Sequence, residues 1–215
     1  PSISAIVHNI TQLNFGTFAL ETVYEDLIRY KNNTEDQNST KPSKFQEINF
    51  STVSFKYPNS NEYVLKDVSL TIKSNECIGI LGPSGSGKTT VIDILLGLLK
   101  PESGKIILNG QNINKNLKDL SRLSAYLPQD CLILESSIKN NICLESQESK
   151  INYQKIKDSI QNANLTSFIN NLPNKIDTLI GEGGIRLSGG QKQRLAIART
   201  FYHEKEVLVM DEATS

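Results

Sequence analysis

Tryptophan is absent from this chain of 215 residues, and it has only two histidines and three scattered cysteines. Without a Cys-x-x-Cys pair, the cysteines indicate neither a zinc site nor a disulfide framework, so we interpret them as reduced residues of a cytoplasmic protein. Lys and Arg together number 23, as do Asp and Glu, which argues against nucleic acid as the main partner. No apolar run approaches the roughly 20 residues of a membrane span. Initiator methionine and signal peptide are also lacking, and we expect the chain to be a piece of a longer protein.

Composition divides the chain into three parts. Residues 1–30 carry apolar residues at helical spacing, which predicts an amphipathic helix that docks on a partner or the end of a longer helix. Residues 31–46 hold almost nothing apolar, which is typical of a linker. We therefore expect a domain to begin near residue 47.

The order of elements in that domain predicts its fold class. Alternating or wholly apolar runs predict strands at residues 48–55, 64–72, 77–81, 105–108, 124–127 and 207–211. Helices are predicted at residues 89–99, within the polar stretch 135–175, and from 188 to about 202. This order favours a parallel α/β core with an inserted helical subdomain.

A glycine-rich stretch separates the predicted strand at 77–81 from the helix at 89–99. Residues 82–89 read Gly-Pro-Ser-Gly-Ser-Gly-Lys-Thr and fit the phosphate-binding pattern G-x-x-x-x-G-K-[ST]. Its glycines permit a tight turn whose N–H groups point at one phosphate chain. Lys88 can reach the β- and γ-phosphates, and the Thr89 hydroxyl can bind Mg²⁺. The candidate nucleotide-binding residues are Gly82, Pro83, Ser84, Gly85, Ser86, Gly87, Lys88, Thr89 and Thr90.

Two carboxylates follow the apolar run Val-Leu-Val-Met near the end of the chain. Asp211 would lie at the carboxyl edge of the sheet, where open α/β sheets bind ligands, and can hold Mg²⁺. Glu212 can accept a proton from an attacking water. The alternative is an acidic pair that simply closes a strand at the surface.

Residues 187–191 read Leu-Ser-Gly-Gly-Gln, with Ser188 100 residues after Lys88 and 23 before Asp211. With these three motifs in this order, the chain resembles the ABC ATPases over residues 47–215. The resemblance implies a P-loop NTPase core of the ABC type, with a β-rich N-terminal part and a helical subdomain at about 131–202. It also implies ATP as substrate and Mg²⁺ as cofactor, and a C-terminal part that this chain lacks.

Further residues match the family pattern. Tyr57, in Val-Ser-Phe-Lys-Tyr-Pro, resembles the aromatic residue that stacks on adenine, and Gln129, in Tyr-Leu-Pro-Gln-Asp, resembles the glutamine that links Mg²⁺ and the γ-phosphate to the membrane domain. The resemblance implies Glu212, Gln129 and Lys88 as catalytic residues. It implies Thr89, Gln129 and Asp211 as metal ligands. Tyr57 remains open to interpretation as an ordinary strand aromatic, and Gln129 as a turn residue.

In the ABC family, two nucleotide-binding domains face each other head to tail around ATP. The resemblance therefore implies a second nucleotide-binding domain as partner, most simply a second copy in a homodimer. The nucleotide-binding residues implied to act from the signature are Ser188, Gly189, Gly190 and Gln191. The alternative interpretation of Ser188 is a cap for the helix that it begins, a role compatible with the first.

Two stretches resemble the exporter branch. Residues 137–142, Ser-Ile-Lys-Asn-Asn-Ile, match the Ser-Ile-x-x-Asn-Ile of exporters. Residues 178–184, Thr-Leu-Ile-Gly-Glu-Gly-Gly, depart from the Thr-Glu-Val-Gly-Glu-Arg-Gly of drug exporters and look more like bacterial flippases of lipid-linked glycans. The resemblance implies a membrane domain upstream in the same chain, residues 1–30 as the tail of its last helix, and a place at the cytoplasmic face of the inner membrane.

Three other functions remain open at this point. An importer would carry this domain as a separate ATPase subunit, without a membrane domain upstream in the same chain. A soluble ABC protein of DNA repair or translation fits the neutral charge and the exporter-like stretch less well. A pure binding module would hold ATP without hydrolysing it.

We expect the 215-residue chain by itself not to sustain ATP turnover. In the family a further strand, a loop and a γ-phosphate-contacting histidine follow Asp-Glu-Ala-Thr-Ser, and without them backbone groups stay unpaired and apolar side chains exposed. An ATPase assay on a sample whose mass is verified as 23.9 kDa checks this. Turnover on the order of 1 s⁻¹, a low but ordinary enzyme rate, would contradict it.

Overall fold

The computed structural model describes residues 44–211 except Asn59, Ser146 and Glu182, together with scattered residues between positions 3 and 28. The chain splits into two compact units, Pro1–Lys41 and Pro42–Ser215. The described residues of the first unit are helical and exposed. Within the described part of the chain, no helix has the length and apolar character to cross a membrane. The predicted linker falls largely outside the described residues, and the domain boundaries stay a prediction.

An antiparallel sheet forms the N-terminal part of the second unit. Its strands, in the spatial order β2-β1-β3-β4, are β1 (Glu47–Phe55), β2 (Leu65–Lys73), β3 (Ser103–Leu108) and β4 (Gln111–Asn112). Alternation along β1 turns Ile48 and Phe50 into the core, as the sequence pattern predicts. Phe45, which the sequence assigns to the linker, is buried there too, and its N–H donates to the Glu206 carboxylate at 2.9 Å.

The first helix, α1 (Lys88–Leu95), is shorter than predicted. Its expected end at residue 99 is wrong because Gly97 adopts φ +74°, a left-handed conformation that ends helices. A Cβ at this glycine would lie 2.5 Å from the Leu117 carbonyl oxygen, so the turn also needs the missing side chain. Helix α2 (Lys118–Leu123) then leads directly into β5 (Ser124–Leu127).

The region after β5 is helical, as predicted. Its elements are β6 (Ser136–Ser137), α3 (Ile138–Cys143), α4 (Tyr153–Asn162), α5 (Thr166–Asn170), β7 (Leu179–Ile180) and α6 (Gly189–Tyr202). They enclose a core of their own, separate from the cluster beneath the antiparallel sheet. The predicted apolar side is confirmed: Ile156, Ile160, Leu165 and Ile169 are buried and Phe168 packs against them.

Among the described strands, the parallel pair is β5 with β8 (Val207–Met210), and one isolated parallel bridge joins Ile180 to Ile185. The strand predicted at 207–211 is present, but its predicted burial is wrong: Val209 is buried, whereas Met210 is 47% exposed. Residues 77–81 form no strand, contrary to prediction, and Leu81 is 95% exposed. Both departures have one cause, since among the described residues no strand lies against 77–81 or against the second edge of β8.

We expect Ile156→Ala to lower the free energy of unfolding by about 2–5 kcal/mol, the range for deleting a buried branched side chain and leaving a cavity. Ile156 is 1% exposed in the core of the helical region. The neighbouring exposed Lys157 gives the control, because Lys157→Ala leaves that core intact. Urea unfolding of the three proteins measures the difference, and equal midpoints for the two variants would contradict this account of the core.

Candidate functional site

The glycine-rich loop ends where α1 begins. Gly87 caps the helix with φ +86°, and a Cβ there would lie 2.8 Å from Leu65 Cδ2 and 3.2 Å from the Val64 carbonyl oxygen. Both the backbone conformation and the contact with the start of β2 therefore require glycine. The loop is consequently held against the sheet at the point where the helix presents its unpaired N–H groups.

Lys88 is the first residue of α1, and its side chain folds back over the loop. Its Nζ donates to the carbonyl oxygens of Gly82 and Pro83, each at 2.8 Å. The ammonium group thus places a full positive charge at the loop, and the helix N-terminus adds a partial positive charge there. This arrangement suits an anion such as a phosphate chain.

Tyr57 lies beside the same helix. Its hydroxyl is 3.3 Å from Thr90 Oγ1, and its ring meets the Phe55 ring edge-on with centroids 5.1 Å apart. The ring is 42% exposed, so it still presents surface to a ligand. The structure therefore brings the predicted adenine-stacking residue and the predicted phosphate loop together.

Gln129 and Asp211 leave the parallel strand pair at the same edge. Leu127 pairs with Met210, and the Asp211 N–H donates to the Leu127 carbonyl oxygen at 3.0 Å. Gln129 is exposed in the bend that follows β5. The register thus places the carboxylate and the segment that carries the amide side by side, while Glu212 lies outside the described residues.

Tyr126 is a site residue that sequence reasoning missed. Its hydroxyl donates to Asp211 Oδ2 at 3.1 Å, and the pKa of Tyr126 is raised by desolvation and by this hydrogen bond to the carboxylate. No motif spacing points to it, because the contact depends on the β5–β8 register. It orients one oxygen of the carboxylate that the sequence predicts as a metal ligand.

Oxygen donors make up the predicted metal set. The hydroxyl of Thr89, the amide oxygen of Gln129 and the carboxylate of Asp211 are hard ligands of the kind that Mg²⁺ prefers. The described residues contain no cluster of three His, Cys, Asp or Glu side chains that could hold a metal by itself. This donor set fits a magnesium ion that is bound together with phosphate oxygens, as is usual for nucleotide sites.

The signature residues lie at the start of α6. Ser188 caps this helix: the Gln191 N–H donates to its Oγ at 3.3 Å, and its own N–H donates to Gln191 Oε1 at 2.9 Å. The predicted capping role is confirmed. α6 packs in the helical core, whereas α1 packs in the core beneath the sheet, so the two motifs belong to different packing units.

A cavity of about 620 Å³ opens between the bend after Gln129 and the stretch before the signature. Its lining mixes apolar side chains with charges of both signs and includes Asp130, Cys131, Leu132, Glu135, Arg186, Leu187 and Lys192. Burial raises the pKa of the Cys131 thiol, which the Arg199 charge partly offsets. The cavity is lined by Asp130, the residue after Gln129, and by Lys192 of the signature helix.

A family model described as ABC transporter matches residues 65–215, which include the phosphate loop, the signature and Asp211. The chain belongs to the ABC transporter family. This confirms the resemblance read from the three motifs.

A curated flippase and a solved ABC exporter support the exporter branch of the family. The ATP-dependent lipid A-core flippase of Ralstonia nicotianae is 38% identical over 79% of this chain, which spans 29% of the flippase. ABC transporter B family member 14 of Arabidopsis thaliana is 38% identical over 100% of the chain, which spans 17% of it. A bacterial Atm1-family ABC exporter with ATP bound superimposes with a TM-score of 0.69 at 31% identity, covering 83% of this chain and 31% of that one.

These matches confirm the mixed α/β fold of an exporter-type ABC nucleotide-binding domain. The chain spans less than a third of the length of these relatives. The roles of individual site residues stay predictions, and they are argued below as a proposal.

We expect Tyr57→Ala to weaken ATP binding about 5- to 150-fold, because stacking a base on an aromatic ring is worth about 1–3 kcal/mol. Tyr57→Phe keeps the ring and loses only the hydroxyl contact with Thr90, so it should bind ATP almost normally. Equilibrium binding measures both variants.

GTP should compete with ATP at the same ring, since every base offers a π-face. A preference for ATP above about a hundredfold, nearly 3 kcal/mol, would require an adenine-edge contact and would contradict recognition by stacking alone.

Proposed function

We propose that this chain is the ATP-binding and ATP-hydrolysing domain of an exporter or flippase that moves a lipid-linked or other amphipathic substrate across a membrane. The observation that carries the proposal is the position of Lys88, whose ammonium folds over the Gly82 and Pro83 carbonyls at the N-terminus of α1. The lipid A-core flippase and the ATP-bound exporter among the relatives support transport as the process that hydrolysis powers.

ATP would stack its adenine on Tyr57 and lay its phosphates along the glycine-rich loop. Lys88 can exchange its two carbonyl acceptors for β- and γ-phosphate oxygens, because an ammonium binds a charged oxygen more strongly than a neutral one. Mg²⁺, held by Thr89, Gln129 and Asp211, would neutralise charge on the phosphates.

Hydrolysis needs a water positioned in line with the γ-phosphate. In this proposal Glu212 takes a proton from that water as its oxygen attacks phosphorus, and the bond to the β-phosphate oxygen breaks to release ADP. Tyr126 holds the neighbouring Asp211 through the hydrogen bond to its carboxylate. Lys88 stabilises charge that develops on the transferred phosphoryl group.

The proposed assembly is a head-to-tail pair of these domains, formed most simply by two copies of the chain. The signature of one copy would contact the ATP of the other through Ser188 and the backbone N–H groups at Gly189 and Gly190. The pair would work at the cytoplasmic face of the inner membrane, attached to a membrane domain. The cavity beside Gln129 is a surface on which such a domain can dock.

Glu212→Gln in the full-length transporter tests the proposal. We expect ATP binding to stay intact and turnover to fall about 10²- to 10⁴-fold, the usual effect of removing a positioned base. Glu102→Gln, which neutralises an exposed carboxylate just before β3, is the control and should hydrolyse ATP normally. Near-normal turnover in Glu212→Gln would reject Glu212 as the base.

A further inference from the structure

Asn141 in α3 is a fully buried amide whose hydrogen-bonding capacity is completely used. Its Oδ1 accepts from the Leu134 N–H at 2.8 Å and from an Arg199 Nη2 at 2.9 Å. Its Nδ2 donates to the carbonyl oxygens of Leu134 at 2.9 Å and Ser137 at 3.1 Å. Asparagine offers two acceptor and two donor sites, so no position of this side chain is spare.

Arg199, on α6, donates hydrogen bonds to α3 and to the chain segment that precedes it. Its Nε donates to the Asn141 carbonyl oxygen at 2.6 Å and its Nη1 to the Leu132 carbonyl oxygen at 2.7 Å. With the contact to Asn141 Oδ1, one guanidinium joins α6, α3 and the chain at residue 132. Only a planar fork with donors at fixed angles reaches these acceptors together.

The Leu132 carbonyl that Arg199 binds lies at one end of the stretch that carries Gln129, residues 127–132. At the near end, the Leu127 carbonyl accepts from the Asp211 N–H at 3.0 Å. At the far end, the carbonyl of Leu132 accepts from Arg199. Gln129 lies three residues before Leu132, a distance of at most about 10 Å along an extended chain.

We propose that Arg199 is a positioning residue for ATP hydrolysis that acts through Gln129, with Asn141 as the fixed point against which it holds the segment. The proposal rests on the proposed function, since it assumes that Gln129 takes part in turnover. Movement of α6, the helix that begins with the signature, would reach Gln129 through the Leu132 carbonyl. The Arg199 contact thus connects two elements of the proposed site. One is α6, whose signature is proposed to contact the ATP of the partner copy, and the other is the segment of Gln129, which is proposed to contact the ATP of its own copy.

The chemistry of the contact argues for positioning rather than simple stability. The partners of the Arg199 guanidinium are all neutral oxygens, and its pKa is lowered by desolvation. Arg199 is half-buried, and desolvating part of a cation without a carboxylate partner has a cost that an apolar side chain would not have. What the arginine adds is a defined geometry between three chain segments.

Arg199→Lys in the full-length transporter keeps the charge and removes the fork. We expect kcat to fall about tenfold, because a displacement of about 1 Å at a distance from the chemistry can cost up to 10²-fold. The KM for ATP should stay within about twofold, since Tyr57 and Lys88 lie on other elements. The decisive measurement is a double-mutant cycle with Gln129→Ala, in which Arg199→Lys should lower kcat by less than about twofold.

Arg194→Lys is the matched control. Arg194 lies on the same helix, but its Nη1 reaches the Asn164 carbonyl at 3.4 Å, away from the Gln129 segment. It should leave kcat unchanged with and without Gln129→Ala. An equal loss for Arg199→Lys in both backgrounds, as a general weakening of the fold would give, would overturn the inference while leaving the proposed function intact. No ATP turnover in the wild-type transporter would overturn both.

Hydrogen–deuterium exchange reads the contact directly and does not depend on activity. The Leu134 N–H donates to Asn141 Oδ1, so a peptide that covers residues 130–136 should exchange faster in Arg199→Lys and normally in Arg194→Lys. Unchanged exchange in Arg199→Lys would show that the arginine does not hold the segment. Unchanged exchange would therefore also overturn the inference.

Discussion

Four residue pairs in parallel register, from Ser124 with Val207 to Leu127 with Met210, join the strand that leads to Gln129 with the strand that leads to Asp211. A shift of one residue would turn the side chains of β8 to the opposite face and move the Asp211 carboxylate away from Tyr126. The hydrogen bond from Tyr126 therefore exists only in this register. The carboxylate, the amide segment and the tyrosine take their relative positions from this pairing.

Buried polar groups connect this edge to the helical region. A buried polar group left without a partner costs about 1–3 kcal/mol, so the amide of Asn141 ties α3 to the backbone at Leu134 in one arrangement. Arg199 adds α6 to the same arrangement. Apolar contacts alone tolerate small shifts of one segment against another. These directional hydrogen bonds fix the relative positions of the segments. The bend after Gln129 therefore has a fixed position relative to the helical region.

Local chemistry made part of the molecule predictable. The cap at Ser188 and the buried side of α4 each follow from residues within a few positions of one another, and the structure confirms both. The glycine-rich loop is equally local, and its binding of phosphate stays a prediction. The end of α1 was mispredicted because Gly97 stops the helix. The exposed run at residues 77–81, the Tyr126 contact and the Arg199 fork depend on which distant segments meet, and periodicity carries no such information. Asn141 belongs to the exporter-like stretch 137–142, but its four hydrogen bonds form only when distant segments of the chain come together.

The two helix ends that we propose to bind phosphate pack in different cores, and the hydrogen bonds at each end leave groups that a phosphate can use. At α1, Lys88 is satisfied by two neutral carbonyls that a phosphate can replace. At α6, the Ser188 hydroxyl oxygen accepts the hydrogen bond that caps the helix. Its hydrogen can therefore still donate to an acceptor such as a phosphate oxygen. A glycine at each of the next two positions adds N–H groups without side chains in the way. In the proposed function each end would supply half of a phosphate site, with the α1 end of one copy meeting the α6 end of another.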